Sequence, residues 1–474
     1  MQATTAPKQR RLKLNNAFSN KKRSPVRTWK VLLSFLALPF TYIFVTNAAL
    51  SRSSSDNILV TTGTSNTVTA PQASNPATIA YAISLTGCPA TVDDQASLID
   101  GAAILAHSIH LNSNQSPNSQ SNYNYKLYAI VHPKALTCAS NLEPLGFTVL
   151  ERDVPVAVED IEGDYLREKV VTNGCCGEME FIKLWAYTLV EHPIVVHLDL
   201  DTFLLQPLDH LFDRMLVKDA TATTGDHGDE PRRTNVLPDV MWPEERDIQY
   251  PDAFFTRDYN MVNAGRRPVG VQGGFLVART SLDTFKNYQQ IILEGNFGKK
   301  GWGDLGFGPF YGSMTFQGIV PYFYDAIHPH HSMELNRCVY NTMADNPRDK
   351  RTVNDVVSGK CRDGREDCED CRDRPLEDVK TAHFTLCQKP WTCLPHGENI
   401  VQDRLCRKLF GEWFRVRADL ELSWQKRSLV EEEGKNGETI VVGEGKFQAE
   451  HFRGFCTRSG QKGYIPLDVS TKQE

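Results

Sequence analysis

The chain contains the stretch IVVHLDLDTFLLQPLDHLF at residues 194–212, in which a fully apolar run ends in an acidic pair. The run 194–198 predicts a buried strand, and Asp199 and Asp201 follow it directly. In open parallel sheets, ligands bind outside the carboxyl ends of the strands. Side chains at i and i+2 of an extended chain point the same way, so these two carboxylates could share one divalent cation. The alternative is that an aspartate here only caps the following turn.

Strand-like and helix-like segments alternate on both sides of this stretch, which is typical of an α/β fold. We therefore predict a doubly wound, mainly parallel sheet with flanking helices. The predicted strands are 78–85, 126–132, 147–150, 194–198 and 274–278, and the predicted helices are 94–111, 136–145, 178–191 and 281–293.

A second informative segment, HFTLCQKPW, occupies residues 383–391. The imidazole of His383, added to two carboxylates, gives a ligand set of two oxygens and one nitrogen that suits Mn²⁺ or another divalent cation. Lys389 is a point charge suited to phosphate oxygens. The alternative is that His383 is an ordinary core or surface residue and that the Lys-Pro-Trp sequence is a turn.

Together the two segments resemble the retaining glycosyltransferases of family eight, which include glycogenin. The resemblance covers residues 78–391 and is carried by FIKLW at 181–185, DLDT at 199–202, PLDHLF at 207–212 and the spacing from His383 to the Lys-Pro-Trp sequence. It implies a GT-A-like catalytic domain. It also implies transfer of a sugar from a nucleotide diphosphate sugar to a glycan or glycoprotein acceptor, with retention of configuration. The expected donor is a UDP-linked sugar.

The resemblance also implies roles for individual residues. Asp199 would contact both the metal and the donor ribose, and Asp201 and His383 would complete the metal ligands. Lys389 would bind the donor diphosphate. Lys183 would hold the donor sugar or its phosphate and take part in catalysis.

Further substrate-binding predictions fall on less well matched positions. Gln272 and Gly274 occupy the place of an Asn-x-Gly strand that faces the transferred sugar, with the segment 263–265 as a rival. Thr86, after the first predicted strand, is a further predicted substrate-binding residue.

Asp304 stands where the family has an Asp-Gln pair near the reacting carbon, and it is the predicted catalytic carboxylate. Leu305 replaces the glutamine of that pair, and Leu386 replaces the glycine that usually lies three residues after the metal histidine. The alternative for Asp304 is a loop-capping role in a glycine-rich stretch.

The charge is distributed unevenly along the 474 residues. Residues 1–50 carry nine Lys or Arg and no acidic residue, which leaves 43 basic and 58 acidic residues in the rest of the chain. An acidic folded part argues against a nucleic-acid-binding protein. The basic residues precede an apolar run at 31–50, which predicts a single signal anchor and a type II Golgi membrane protein with a lumenal body. The alternative is a cleaved signal peptide.

All 12 cysteines lie between Cys88 and Cys456, beyond the predicted anchor, and they predict disulfides in an oxidising compartment. The group at 338, 361, 368 and 371 also allows a zinc site, although no second CxxC completes the usual spacing. Cys175 and Cys176 are adjacent, too close to bridge easily, so each is expected to pair elsewhere.

The predicted organisation is a cytosolic tail (1–30), an anchor (31–50), a Ser- and Thr-rich stalk (51–77), a catalytic domain (78–398) and a C-terminal extension without an assigned role (399–474). The predicted function is Mn²⁺-dependent glycosyl transfer. Two alternatives stay open: an inactive lumenal nucleotide-sugar- or carbohydrate-binding protein of the same fold, and a metal-dependent phosphohydrolase.

Overall fold

The computed structural model describes residues 76–89, 92–216, 239–242, 245, 248–351, 357–392, 404–436, 464 and 466–467. The predicted tail and anchor, and all of the predicted stalk before residue 76, lie outside these residues. Within the described ranges, no helix is both long enough and apolar enough to cross a membrane.

In the described ranges, thirteen strands form one large sheet and three two-stranded pairs. They are β1 Thr78–Leu85, β2 Asn124–Val131, β3 Phe147–Glu151, β4 Ile194–Leu198, β5 Thr202–Leu204, β6 Ala253–Arg257, β7 Val271–Arg279, β8 Phe297–Gly298, β9 Gly301–Trp302, β10 Ser332–Glu334, β11 Arg348–Arg351, β12 Val357–Cys361 and β13 Thr381–His383.

The central sheet has seven strands in the order β10-β6-β7-β4-β1-β2-β3. Four neighbouring pairs are parallel, and the two pairs that include β7 are antiparallel. The prediction of an α/β fold with a mainly parallel sheet is confirmed. The sheet is nevertheless mixed, because β7 runs against both β4 and β6.

Helices cover both faces of this sheet. They are α1 Val92–Leu111, α2 Leu136–Ala139, α3 Asp164–Lys169, α4 Asp209–Leu216, α5 Leu282–Glu294, α6 Phe316–Tyr322 and α7 Leu405–Asn436. The cap of α5 shows how sequence sets such bounds: the Ser281 hydroxyl accepts from the backbone N–H of Thr284 at 3.1 Å, and Gly295 ends the helix at φ +60°.

Two hydrophobic cores lie on opposite faces of the sheet, and the alternation of β1 shows how. Ile79, Tyr81 and Ile83 belong to the core that includes buried residues of α1 and α7, whereas Ala80 and Ala82 belong to the core that includes residues of α5 and α6. Successive side chains of a strand point to opposite faces, so a strand that is apolar at every position is covered on both.

Two local elements position the candidate site. The segment predicted as a helix at 178–191 is a 3₁₀ helix over Gly177–Thr188, and it buries Lys183. The short strands β5 and β13 pair antiparallel beside the end of β4, with His383 opposite Thr202. This pair joins parts of the chain that are far apart in sequence.

Four disulfides are present among the described cysteines, and they link Cys88–Cys138, Cys338–Cys371, Cys361–Cys368 and Cys387–Cys406. Disulfides therefore replace the alternative of a zinc site at 338, 361, 368 and 371. In the described part of the chain, Cys175 and Cys176 take part in no disulfide, which does not bear out the expectation that each pairs elsewhere.

Candidate functional site

The acidic pair lies in a tight turn at the carboxyl end of β4. The backbone N–H of Asp199 donates to the Gly274 carbonyl at 3.2 Å, which ties the turn to β7. Both the N–H and the hydroxyl of Thr202 donate to the Asp199 carbonyl, at 3.0 and 2.6 Å. The turn therefore uses backbone and threonine groups for its own hydrogen bonds and leaves both aspartate carboxylates available.

Strand β13 brings His383 to this turn. The backbone N–H of Phe384 donates to the Asp201 carbonyl at 2.9 Å, which continues the pairing of β5 with β13. One ligand atom from each of Asp199, Asp201 and His383 lies within 4.8 Å of the others. The three residues predicted from two separate sequence segments are thus brought together.

The hydrogen bonds of Gln272 fix the tautomer of His383. Gln272 Oε1 accepts from the backbone N–H of Gly274 at 2.7 Å, so that atom is an acceptor. His383 Nδ1 lies 3.1 Å from the same oxygen and therefore carries the proton. His383 Nε2 is the ring nitrogen that faces the acidic pair, 3.2 Å from Asp201 Oδ1, where a cation ligand is needed.

Gly274 makes room for the imidazole. A Cβ on Gly274 would lie 2.4 Å from Cε1 of His383, a distance that excludes any side chain at this position. Gln272 and Gly274, both predicted to bind substrate, are therefore placed against His383. Gln272 is buried and also accepts from Asn341 Nδ2 at 2.9 Å.

Asp201 is an ionised carboxylate. Burial raises the pKa of Asp201, but its partners His383 and Lys389 more than offset burial and hold that pKa well below its usual value. Lys389 Nζ donates to Asp201 Oδ2, and its side chain remains 44% exposed. A cation on the solvent side of the cluster fits a role in binding an anionic ligand.

Lys183 approaches the cluster from the opposite, buried side. Its Nζ lies 3.0 Å from Asp199 Oδ1 and 3.1 Å from Glu180 Oε2, and it donates to the Gly273 carbonyl at 3.2 Å. Burial lowers the pKa of Lys183, but the two carboxylates raise it well above its usual value, so the ammonium stays charged.

The remaining predicted residues are not members of this group of three ligand residues. Thr86 follows β1 and hydrogen-bonds with Cys176. Asp304 is exposed in the turn after β9 at φ +57°. Gly265, from the rival segment 263–265, lines a different cavity of about 550 Å³. Trp242 and several polar side chains line the same cavity.

Three partners of the site were missed by sequence reasoning. Glu180 pairs with Lys183, Thr385 Oγ1 lies 2.8 Å from His383 Nε2, and Asn341 holds Gln272. Only Glu180 had a sequence signal, since it precedes Lys183 by three residues in a segment predicted to be helical, where such pairs face each other. The other two depend on tertiary contacts.

The cluster fits a divalent cation of the Mn²⁺ or Mg²⁺ type by its donor set. Two carboxylates and Nε2 of the histidine face one another, and a cation between them would stabilise this convergence of acceptors. Lys183 and Lys389 add positive charge on either side. The arrangement can therefore hold a cation together with a phosphate-bearing ligand.

No family model matches the chain, and no curated protein matches it. The solved structures with which it aligns include glycosyltransferases. Mouse xyloside xylosyltransferase 1 aligns at 13% identity over 65% of this chain and 98% of its own, with a TM-score of 0.36.

GlyE of Streptococcus pneumoniae aligns at 11% identity over 74% of this chain and 64% of its own, with a TM-score of 0.36. The galactosyltransferase LgtC aligns at 13% identity over 71% and 94%, with a TM-score of 0.33. TM-scores of 0.33 to 0.36 establish neither family nor activity, which have to come from the residues of the site.

Proposed function

We propose that the chain is a metal-dependent glycosyltransferase that transfers a sugar from a nucleotide diphosphate donor to a glycan or glycoprotein acceptor. One observation carries the proposal: Asp199, Asp201 and His383 converge within 4.8 Å, and Lys389 reaches Asp201 across 188 residues of sequence. These are the residues through which the chain resembles glycosyltransferase family eight. Retention of configuration and a UDP-linked donor rest on that resemblance alone.

Different side chains would have different roles in donor binding. Asp199, Asp201 and His383 Nε2 would hold Mn²⁺, and the bound cation would stabilise the charge that develops on the leaving diphosphate. Lys389, half-exposed beside them, would bind phosphate oxygens. Lys183 stays charged in a buried place and would position the donor from the protein side.

The proposed setting is the Golgi membrane, with residues 31–50 as a single anchor and the body in the lumen. The basic residues before that segment, the acidic balance after it and the four disulfides support this location.

The first experiment is thermal unfolding of the purified chain with a panel of nucleoside diphosphates and nucleotide sugars, with and without Mn²⁺. A ligand that binds only the native state at 100 times its dissociation constant stabilises it by about 2.7 kcal/mol. We expect such a shift with one nucleotide and only when Mn²⁺ is present. No shift with any nucleotide in the presence of Mn²⁺ would contradict the proposal.

A second candidate function is donor binding without turnover. The observation that favours it is that Asp304, the predicted catalytic carboxylate, lies in an exposed turn and is not among the three grouped ligand residues. The two functions differ in one readout, because only a transferase releases nucleoside diphosphate from a nucleotide sugar when acceptor glycans are added. Nucleotide binding without that release would decide for the binding protein.

A further inference from the structure

The turn Gly174–Cys175–Cys176–Gly177 presents two neighbouring thiols beside the candidate site. Both glycines have positive φ values, +67° and +60°. A Cβ on Gly177 would lie 2.5 Å from the Val171 carbonyl oxygen, so glycine is required there. The backbone thus holds the two cysteines in a fixed turn that leads into the 3₁₀ helix of Lys183.

The two thiols differ from the other described cysteines. The eight others are joined in four disulfides, whereas Cys175 and Cys176 are free. Their sulfur atoms lie 2.6 Å apart, and Cys175 is exposed to solvent. An oxidant can therefore reach the pair, and a small movement brings the sulfurs to bonding distance.

Hydrogen bonds connect this pair to the candidate site. The Cys175 thiol donates to Glu180 Oε1 at 3.1 Å, and the other oxygen of Glu180 lies 3.1 Å from Lys183 Nζ. Lys183 in turn lies 3.0 Å from Asp199 Oδ1. Cys176 also hydrogen-bonds with Thr86, at the end of β1. One carboxylate, Glu180, is thus shared between the thiols and the lysine that contacts a candidate metal ligand.

We propose that Cys175 and Cys176 are a redox modification site, at which a small disulfide such as oxidised glutathione converts the two thiols into a disulfide between neighbours. The thiolate of Cys176, which accepts from the Cys175 thiol, attacks one sulfur of the small disulfide and expels one molecule of thiol. Cys175, as its thiolate, then attacks the Cys176 sulfur of the mixed disulfide and expels the second. Two electrons pass to the small disulfide, and the two cysteine protons leave on the two released thiols.

The bridge is reversible because of its covalent geometry. Neighbouring Cα atoms are about 3.8 Å apart, closer than the roughly 4.4 to 6.8 Å usual in disulfides. Bridges that are strained or exposed are reduced more readily than ordinary structural disulfides. The pair therefore responds to a thiol–disulfide buffer under conditions that leave the four other disulfides intact.

Oxidation changes the surroundings of Lys183, and this consequence rests on the proposed function. Bridging removes both S–H donors from Glu180, which leaves Lys183 as its side-chain partner in the described part of the chain. Lys183 is then held more closely by Glu180 and less by Asp199. We expect the oxidised protein to bind the nucleotide donor about 5- to 10-fold more weakly, within the usual range for coupled sites.

The modification is tested by alkylation. The intact protein is equilibrated in mixtures of reduced and oxidised glutathione, alkylated, digested without reductant and measured by mass spectrometry. We expect the peptide with Cys175 and Cys176 to gain two alkyl groups in reducing mixtures and none in oxidising ones. A peptide cross-linked to another cysteine, alkylation in every mixture, or alkylation only after a metal chelator is added would each overturn the proposal.

The coupling is tested by calorimetric titration of UDP with Mn²⁺ present, on the oxidised and the reduced protein. Cys175→Ser and Cys176→Ser cannot form the bridge and should bind UDP as the reduced protein does in both mixtures. Glu180→Gln, which keeps both thiols, should still form the bridge but lose the difference in affinity. Equal affinity in both states of the unmodified protein would refute the coupling, whereas no binding in either state would refute the proposed function and leave the alkylation result to decide the modification.

Discussion

Two clusters of charged side chains lie at the same edge of the central sheet, and they use their charges in opposite ways. In the first, Arg257 at the end of β6 meets Glu334 at the end of β10. Arg257 Nε donates to Glu334 at 2.9 Å, Nη2 to Asp325 at 2.9 Å and Nη1 to the Val269 carbonyl at 2.8 Å. Glu334 is 1% exposed and also accepts from Tyr259 and Trp242.

The candidate site also combines acidic and basic side chains, but in a different balance. Acceptors of Asp199, Asp201 and His383 face one another, and the lysine on their solvent side is half-exposed. In the Arg257 cluster, protein donors and acceptors match, so the cluster joins strands. At the candidate site acceptors converge, so a ligand is needed to complete it. The balance of donors and acceptors, more than burial, separates a binding site from a structural ion pair.

The largest expected effect comes from breaking the matched cluster. Arg257→Leu leaves the carboxylate of Glu334 buried without its main cation, and removing one partner of a buried pair costs about 3 to 5 kcal/mol. Urea unfolding should show this loss, while Mn²⁺ affinity of the folded protein stays within about 2-fold. A loss of stability below about 1 kcal/mol would show that Arg257 is not structural.

Removing a metal ligand should give the reverse pattern. We expect Asp201→Asn or His383→Ala to weaken Mn²⁺ binding at least about 100-fold, more than the usual loss when a residue that only hydrogen-bonds to a metal ligand is removed. The free energy of unfolding without metal should change little, because each variant has one fewer acceptor among those that repel one another. Asp213→Asn is the matched control, because Asp213 lies on α4 and its carboxylate accepts a hydrogen bond from Tyr123. This variant should leave Mn²⁺ affinity unchanged. Unchanged Mn²⁺ binding in both ligand variants would remove the metal assignment.

The tautomer of His383 can be tested through Gln272. Gln272→Met keeps the volume but removes the oxygen that accepts from Nδ1. We expect Mn²⁺ affinity to fall about 10- to 100-fold, as when other residues that hydrogen-bond to a metal-binding histidine are removed. Calorimetry with Mn²⁺ measures it, and full affinity would mean that the ring is held by other contacts.

Lys389 should matter for the nucleotide and not for the metal. Lys389→Ala removes one charge-assisted contact, which is worth about 1.5 kcal/mol or roughly 10-fold in nucleoside diphosphate affinity. Lys380→Ala, which removes a lysine bonded to Gln206, is the control. Equal losses in the two variants would point to a general effect of surface charge.

The smallest effect is a dependence of stability on pH. Burial and the nearby Lys380 lower the pKa of His210 to about 4, and Tyr340 shares a hydrogen bond with its ring. The unfolded state binds a proton at about pH 6.5, so this contribution to stability is present at neutral pH and is lost as pH falls from 6.5 towards 4. Between pH 7 and 5.5 the loss attributable to His210 should be about 1 kcal/mol, measured by urea unfolding, and His210→Gln should abolish it.

The sequence predicted the parts of the site that short strings encode. An apolar strand before Asp199 and Asp201, and a histidine six residues before Lys389, are local patterns, and the structure brings these residues together. The direction of β7 could not be read in the same way, because alternation along a strand says nothing about its neighbours. The hydrogen bond between Gln272 and His383 depends on where β7 lies in the sheet, so the sequence did not predict it either.

Other differences have equally physical causes. Asp304 was predicted near the reacting carbon by its resemblance to the family's Asp-Gln pair; it lies in an exposed turn after β9, and its catalytic role stays a prediction. The 3₁₀ helix at Gly177–Thr188 follows a glycine with φ +60°, a backbone feature that helical periodicity does not reveal. Disulfides near Cys361 were predicted, whereas their partners depend on loops that only tertiary structure brings together.

The disulfide Cys387–Cys406 has a consequence for the order in which the protein is made. Asp199 and Asp201 are synthesised early. The disulfide beside the strand with His383 forms later, because it joins Cys387 to Cys406 at the start of α7. Trp391 and Trp413, whose rings lie 6.2 Å apart, add a second fastening between the same two segments. A chain that stops before residue 406 carries every residue of the acidic turn and the histidine strand, but it lacks both of these links and relies on the pairing of β5 with β13. The full set of contacts around the histidine strand therefore forms after α7 has been synthesised.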